Sequence, residues 1–122
     1  MTRKTLSLAA AVLLAACGDS IPGPGTLTAT IVSPHQNEGA AVVRVTGPGL
    51  PGEVSERSGR VWAEPRSGSM TVVVLAEPAS ILSFGFAVED TTADFTAEVL
   101  EVASPTDALR GFLGEYEVEI AR

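Results

Sequence analysis

The sequence predicts an all-β protein: a two-sheet antiparallel β-sandwich of about seven to nine strands, after an N-terminal signal helix and a flexible linker. Three observations predict this fold class. The 12 glycines and 8 prolines interrupt the chain too often for long helices. Between these interruptions apolar residues recur at every second position, the period of a half-buried strand. The chain has 122 residues and is 45% hydrophobic, which is enough for one packed domain.

The first sixteen residues have the pattern of an export signal. Arg3 and Lys4 supply a cationic start, and a mainly apolar stretch then runs over residues 6–16. That stretch is shorter than the ~20 apolar residues that a membrane-spanning helix requires. The sequence therefore predicts a cleaved signal peptide at residues 1–16.

The residues around the predicted cleavage point, Leu14-Ala15-Ala16-Cys17, resemble the lipobox of bacterial lipoprotein precursors. The resemblance implies that signal peptidase II recognises Leu14, Ala15 and Ala16 and cleaves before Cys17. It also implies that the Cys17 thiol carries the lipid, often palmitate-containing, that holds the mature protein on a bacterial membrane. Cys17 is the one cysteine of the chain, so it has no partner for an internal disulfide.

A short linker and the charge of the chain complete the expected organisation. Residues 17–25 are predicted to be the lipidated cysteine and a tether rich in glycine and proline, and residues 26–122 the β-sandwich domain. Without residues 1–16 the formal charge is −9, since that segment removes two cations and no acid. Such a charge argues against nucleic acid as a partner and against electrostatic docking on anionic lipid. Membrane attachment is thus expected only through the lipid on Cys17.

The first predicted strands alternate clearly. Residues 26–33 place Leu27, Ala29 and Ile31 on one face, and residues 40–46 form the second strand before a double turn rich in glycine and proline. A short strand is expected over 60–64, ending before a proline. Residues 70–76 are rich in valine, which predicts a strand covered on both faces.

The later strands follow the same rule. Residues 82–88 predict a core strand, and residues 93–103 a strand whose inward-facing parity switches near Val99, which predicts a β-bulge there. Residues 108–113 are expected to make one helical turn. Tyr116, Val118 and Ile120 alternate with glutamates, which predicts a closing strand with one wet face.

Three segments of the predicted domain, residues 39–45, 82–88 and 95–102, resemble strands of cohesin-like β-sandwich domains. The order is an early strand, a phenylalanine-rich core strand, a third strand and then the closing strand. The resemblance implies the fold alone, because no residue here matches the surface with which cohesins bind dockerins.

Trp62 and Arg60 are the candidate partner-binding residues. They share one face of their predicted strand, and an aromatic residue beside arginine is a common composition of protein or glycan binding sites. The alternative, favoured about two to one, is that Trp62 packs over the sandwich edge while nearby arginines pair with Glu53, Glu56 and Glu64.

The sequence offers no catalytic constellation, metal site or cofactor site. His35 is the single histidine, and it lies in a polar turn without the nucleophile and acid that a general base requires. Glu89, Asp90 and Asp94 could offer oxygen ligands to Ca²⁺, but their spacing fits no EF-hand loop and a solvated acidic turn is favoured.

These observations predict a non-enzymatic, lipid-anchored protein of the cell envelope, facing the periplasm or the cell surface, with the outer membrane or surface favoured. Its β-sandwich would be a binding or structural module for an unknown protein or glycan partner. Two alternatives stay open: a small envelope hydrolase with an unrecognised site, and a scaffold subunit that docks through its edge strands.

Overall fold

Residues 21–122 form two four-stranded antiparallel sheets in the computed structural model, which describes this part of the chain. The sheet orders are β3-β6-β1-β8 and β4-β5-β2-β7. The predicted all-β, two-sheet sandwich is thereby confirmed, with eight strands. In chain order these are β1 (Gly25–Val32), β2 (Glu38–Thr46), β3 (Val54–Glu56), β4 (Arg60–Arg66), β5 (Ser69–Ser80), β6 (Ser83–Val88), β7 (Thr96–Ala103) and β8 (Glu117–Ala121).

The predicted signal peptide, the lipobox and Cys17 lie outside the described residues. The described chain starts within the predicted tether, where residues 21–24 precede β1. From residue 21 onward, no helix has the length and apolar character needed to cross a membrane.

The core lies between the two sheets and is made by the alternate residues of each strand. Leu27, Ala29 and Ile31 of β1 are buried, as predicted. Facing them, β2 and β5 contribute aliphatic side chains from the second sheet, where a branched side chain packs well on a pleated surface. The apolar residues buried from these two strands are Ala41, Val43, Val45, Met70, Val72, Val74 and Ala76.

Aromatic side chains fill the part of the core that the aliphatic residues leave. Phe84 and Phe86 of β6 are fully buried, with ring centroids 6.2 Å apart. Phe86 also meets Phe95 in an edge-to-face arrangement at 5.8 Å, a geometry that aromatic pairs favour. A side chain at Gly47 would collide with the Phe95 ring, so the glycine allows that ring to pack directly against the backbone of residue 47.

Several predicted boundaries are corrected by the structure. β4 continues through Pro65 and β5 through Pro78, although proline was expected to end the first of them. β4 is the edge strand of its sheet, where a missing backbone N–H costs no ladder hydrogen bond. The three-residue β3 was not predicted, because a segment of that length carries too little periodicity.

Two further predictions about strand faces and turns can be compared with the structure. The bulge near Val99 is confirmed: Val42 lies opposite Glu101, whereas Val43 lies opposite Val99, so Leu100 is the extra residue. The single helical turn over 108–113 is wrong, since this segment holds a bend at Gly111 and an isolated bridge between Leu109 and Ala103.

The prediction that the valine-rich strand is covered on both faces is also wrong. Val72 and Val74 are buried, but Val73 points outward from the second sheet and is 36% exposed. A sheet that packs one face against the core and exposes the other to solvent buries every second residue of its strands.

The sandwich has two distinguishable ends. Residues 21–25 enter at one of them, the N-terminal end, where the Gly23 carbonyl accepts a hydrogen bond from the Thr91 N–H at 2.9 Å and Gly25 pairs with Val88. The opposite end, here the distal end, holds the β1–β2 turn, the start of β2 and residues 104–116, which connect β7 to β8. At about 3.3 Å per residue, the eight-residue β1 separates the two ends by ~26 Å.

Candidate functional site

A buried carboxylate organises the distal end. Glu38, the first residue of β2, is 1% exposed and accepts hydrogen bonds on both oxygens. Arg110 donates to Oε1 from Nε at 3.2 Å and from Nη2 at 3.0 Å. Ser33 Oγ and Tyr116 Oη donate to Oε2 at 2.5 and 2.6 Å. A buried charge is stable only when it is paired and hydrogen-bonded in this way.

This carboxylate joins three segments that are distant in the sequence. Ser33 belongs to the β1–β2 turn, whereas Arg110 and Tyr116 belong to residues 104–116, termed here the distal loop. Glu38 therefore fixes the distal loop to the start of β2 at two points, six residues apart. The cluster therefore stabilises the fold by linking these segments. Three of its four side chains come from turns and loops.

Backbone hydrogen bonds hold the distal loop at its beginning. Ser104 donates from its N–H to the Ala108 carbonyl at 2.8 Å, and Ser104 Oγ accepts from the N–H groups of Thr106 and Ala108 at 3.2 Å. The Arg110 N–H donates to the Val102 carbonyl at 2.8 Å. The loop is thus pinned through its backbone as well as through Glu38.

The pinned loop nevertheless exposes two large apolar side chains. Leu109 and Phe112 are each 71% exposed. Leu109 forms a bridge with Ala103 at the end of β7, which places it beside the outer face of the second sheet. A rigid segment that holds apolar side chains in water pays little further ordering entropy when they become buried.

Trp62 and Arg60 lie on that same outer face, Arg60 toward the distal end and Trp62 level with the middle of β2. Trp62 is 49% exposed, and the Arg60 guanidinium lies over its ring, with Cζ 5.3 Å from the centroid, within the range of a cation–π contact. The favoured alternative, a Trp62 packed away over the sandwich edge, is not what the structure shows. Of the expected arginine–glutamate pairs, Arg66 and Glu64 come within 3.6 Å.

An apolar row crosses the outer face of the second sheet. Trp62 lies directly opposite Val73, Val73 opposite Val42, and Val42 opposite Glu101. A hollow of about 70 Å³ separates Val42 and Val73 from Leu109. We call the surface formed by Trp62, Val73, Val42 and Leu109 the distal patch. Nearer the N-terminal end the same face is polar, with Arg44 and Glu98 3.9 Å apart.

His35 and the acidic turn show no assembled chemistry. His35 is exposed, its ring is 6.4 Å from that of Tyr116, and its N–H donates to Ser33 Oγ at 2.9 Å. Neither the groove of about 420 Å³ beside β3 and β4 nor that of about 480 Å³ beside β1 is lined by it. Asp90 Oδ1 accepts hydrogen bonds from the Thr92 hydroxyl at 2.6 Å and the Thr92 N–H at 2.9 Å.

The Thr92 hydrogen bonds, those from its side chain above all, lower the pKa of Asp90 below its ordinary value. These bonds make a local turn of residues 90–92. In the part of the chain that the structure covers, no three histidine, cysteine, aspartate or glutamate side chains are grouped as metal ligands would be.

The pKa values of the distal cluster follow from its geometry. Burial raises the pKa of Glu38, but the hydrogen bonds from Ser33, Tyr116 and Arg110 outweigh it, so the pKa lies below its ordinary value of 4.5. For Tyr116, burial and then the adjacent Glu38 carboxylate raise the pKa above 10.0. The folded structure thus favours the ionised form of Glu38 and the neutral form of Tyr116, which are the forms that these groups have at neutral pH.

We expect the stability of the protein to decline outside a wide pH range because of these two groups. The folded pKa of Glu38 is depressed, so its contribution is present above about 4.5 and is lost as pH falls through the folded value. The folded pKa of Tyr116 is raised, so its contribution is present below about 10 and is lost as pH rises further. Urea unfolding between pH 2.5 and 11 measures both.

Two variants separate these effects from other titrating groups. Glu38→Gln should reduce the decline mainly on the acid side, and also on the alkaline side because the Glu38 carboxylate helps to raise the pKa of Tyr116. Tyr116→Phe should reduce the decline mainly on the alkaline side, and also on the acid side because the Tyr116 hydroxyl helps to lower the pKa of Glu38. Unfolding curves whose pH dependence matches that of the natural protein in both variants would show that the cluster is not the source.

Sequence reasoning missed this cluster. Glu38 was placed in a polar turn, Arg110 in a helical turn, and Tyr116 was counted as an ordinary inward residue of the last strand. Strand parity gave no signal either: the buried residues Ala41, Val43 and Val45 are at odd positions, and Glu38 turns inward because of the register irregularity between Glu38 and Ala40. Long-range partners 72 and 78 positions away leave no mark in a local pattern.

Comparison of the chain with known protein families, with curated proteins and with solved structures found no match.

Proposed function

We propose that this protein is a lipid-anchored lipoprotein of the bacterial cell envelope whose β-sandwich is a non-catalytic binding module. The lipid on Cys17 would anchor it, and the distal end would meet its partner. The observation that carries the binding role is the exposure of Leu109 and Phe112 on a loop that a buried carboxylate holds in place. Apolar side chains fixed in water without a structural reason indicate a surface that is covered in a complex.

The position of the distal patch supports this division of roles. Residues 21–25, to which a tether from Cys17 would lead, join the sandwich at its N-terminal end, and β1 spans ~26 Å from there to the distal end. Two acyl chains suffice to hold a protein on a membrane without help from its surface. A domain attached in this way leaves its far end free for a partner.

Docking through a sheet edge is less well supported than docking on the distal patch. β4 is the longer edge strand of its side of the sandwich and carries Pro65, together with the charged Arg60, Glu64 and Arg66. Proline and charge are the features by which edge strands resist pairing with another strand.

Removal of the lipidated cysteine tests the anchor. Cys17→Ala, or treatment with globomycin, which inhibits signal peptidase II, should release or mislocalise the protein, because no other membrane attachment is expected. Ser20→Ala, in the same tether, is the matched control and should remain in the membrane fraction. Intact-mass measurement of the natural protein should give residues 17–122 plus acyl chains. An unmodified thiol with unchanged fractionation would reject the anchor.

A further inference from the structure

We infer that two copies of this chain pair edge to edge through β4, in an antiparallel register with a two-fold axis at Trp62. The pairing joins the second sheet of each copy into one continuous sheet of eight strands. It goes beyond the proposed function, because it depends neither on the lipid nor on the exposed side chains of the distal loop. The occupant is a second copy because the open edge of β4 is complementary to itself, in its backbone and in its charges.

The backbone of β4 presents its free hydrogen-bonding groups at alternate residues. A two-residue turn joins β4 to β5, and the pair that closes it, Arg66 and Ser69, exchanges both backbone hydrogen bonds in such a hairpin. Since the direction of these groups alternates along a strand, even-numbered residues of β4 bond to β5 and odd-numbered residues point to the open edge. Val61 and Ala63 therefore offer both an N–H and a C=O there, and Pro65 offers its C=O.

A two-fold axis at Trp62 satisfies these groups. Val61 of each copy then lies opposite Ala63 of the other, and each of these pairs can exchange both backbone hydrogen bonds. Trp62 faces its counterpart in the intervening non-hydrogen-bonded pair, where cross-strand side chains approach most closely. An axis at Ala63 would instead bring the Val61 carbonyl opposite Pro65, which has no N–H to donate.

The charges on the outer face of β4 select the same register. Trp62 lies midway between Arg60 and Glu64, so an axis at Trp62 places Arg60 of each copy opposite Glu64 of the other. Opposite charges stabilise a cross-strand pair, whereas like charges destabilise it. Arg66, the third charge of this face of β4, already lies 3.6 Å from Glu64 of its own copy. An axis at Val61 would remove both ion pairs, and one at Ala63 would place Arg60 opposite Arg66.

The other charges of the outer face lie away from this edge. They belong to β2 and β7, which are two and three strands from the edge, or to β5 beyond its pairing with β4, and they are Arg44, Glu98, Glu101 and Glu77. Proline and charge keep most strands from pairing with β4, but neither opposes this one strand in this one register. The half-exposed Trp62 ring gains an aromatic neighbour there.

Such a dimer is compatible with the proposed anchor. Antiparallel pairing points the N-terminal ends of the two copies in opposite directions along the strands, and the two-fold axis is perpendicular to the joined sheet. Both tethers can therefore reach one membrane when the strands lie along its surface.

Disulfide trapping in the producing cells tests the pairing and its register. Two differently tagged full-length copies are produced together, one with Arg60→Cys and the other with Glu64→Cys, and the cells are treated with a mild oxidant. These two positions lie directly opposite in the dimer, whereas two copies of either position are offset by about 13 Å along the strands, too far for a disulfide. We expect the mixed adduct at a yield at least about tenfold above either adduct between like copies.

Val73→Cys in both copies is the control for pairing through the sheet face. Val73 is exposed on the same face, but the two β5 strands of the edge-paired dimer are separated by three strand spacings, about 14 Å, so no adduct is expected. The natural chain, with Cys17 alone, gives the background. No mixed adduct above this background, equal yields of mixed and like adducts, or an adduct through position 73 would each overturn the inference.

Charge reversal tests the ion pairs without a crosslink. Arg60→Glu places two glutamates opposite each other and should lower the co-purification of differently tagged copies on the order of tenfold. Adding Glu64→Arg restores opposite charges and should recover it, a result that a loss of folding cannot give. Arg44→Glu, two strands from the edge, is the matched control and should change nothing. Failure of the double variant to recover would contradict the register. Fractionation of the same cells reports on the anchor separately, since adducts are scored in the membrane and soluble fractions alike.

Discussion

Glu38→Ala is expected to lower the free energy of unfolding by about 3–5 kcal/mol, the usual cost of removing one partner of a buried ion pair. The change leaves the Arg110 guanidinium, 25% exposed, without its carboxylate and removes the acceptor of two hydroxyl groups. It also releases the distal loop from β2. Chemical denaturation with a fluorescence readout from Trp62, the one tryptophan of the chain, measures the loss.

Two further variants make this result interpretable. Glu101→Ala changes an exposed glutamate of the same sheet and should cost less than about 0.5 kcal/mol. Replacing the pair together, as Glu38→Met with Arg110→Met, should recover part of the loss, because no uncompensated charge remains buried. If Glu38→Ala costs no more than the surface control, the carboxylate does not hold the loop.

Phe86→Ala is expected to be equally damaging, with a loss of about 3–5 kcal/mol. The side chain is fully buried between the sheets and contacts the rings of both Phe84 and Phe95. Its removal leaves a cavity that two β-sheets, held by their hydrogen-bond ladders, can close only in part. Thermal unfolding of the natural and variant proteins gives the comparison.

The matched control for this truncation is Phe112→Ala, at a phenylalanine that is 71% exposed. The same change of side chain should there alter stability by less than about 0.5 kcal/mol. Phe86→Leu should recover much of the loss, since most of the apolar volume returns. Equal effects at positions 86 and 112 would contradict the assignment of Phe86 to the core.

The fold class was predictable because one physical rule governs most of the strands. Alternation placed Leu27, Ala29 and Ile31 inward, and a switch of parity located the bulge near Val99. The rule failed where one sequence pattern is compatible with two strand environments. A run of valines is compatible with a strand buried on one face or on both, and only the packing of the second sheet leaves Val73 exposed.

The candidate site was predictable only in part. Arg60 and Trp62 were identified because residue type alone marks them, and their shared face follows from strand geometry. The cluster around Glu38 was not, because it depends on which turns the two sheets bring to one end. The distal loop has the composition of a turn, so nothing in its sequence indicated that its apolar side chains would be held in solvent.

The arrangement of the ends has a practical consequence for work with this protein. β8 runs antiparallel to β1, so that Thr28 lies opposite Ala121, and Arg122 leaves the sandwich beside the first half of β1, toward the N-terminal end. Whatever follows Arg122 along the chain, natural or engineered, would start on the tether side. A reporter fused there would leave the opposite pole of the domain unobstructed, and a short connection between the two termini offers a starting point for circular permutation.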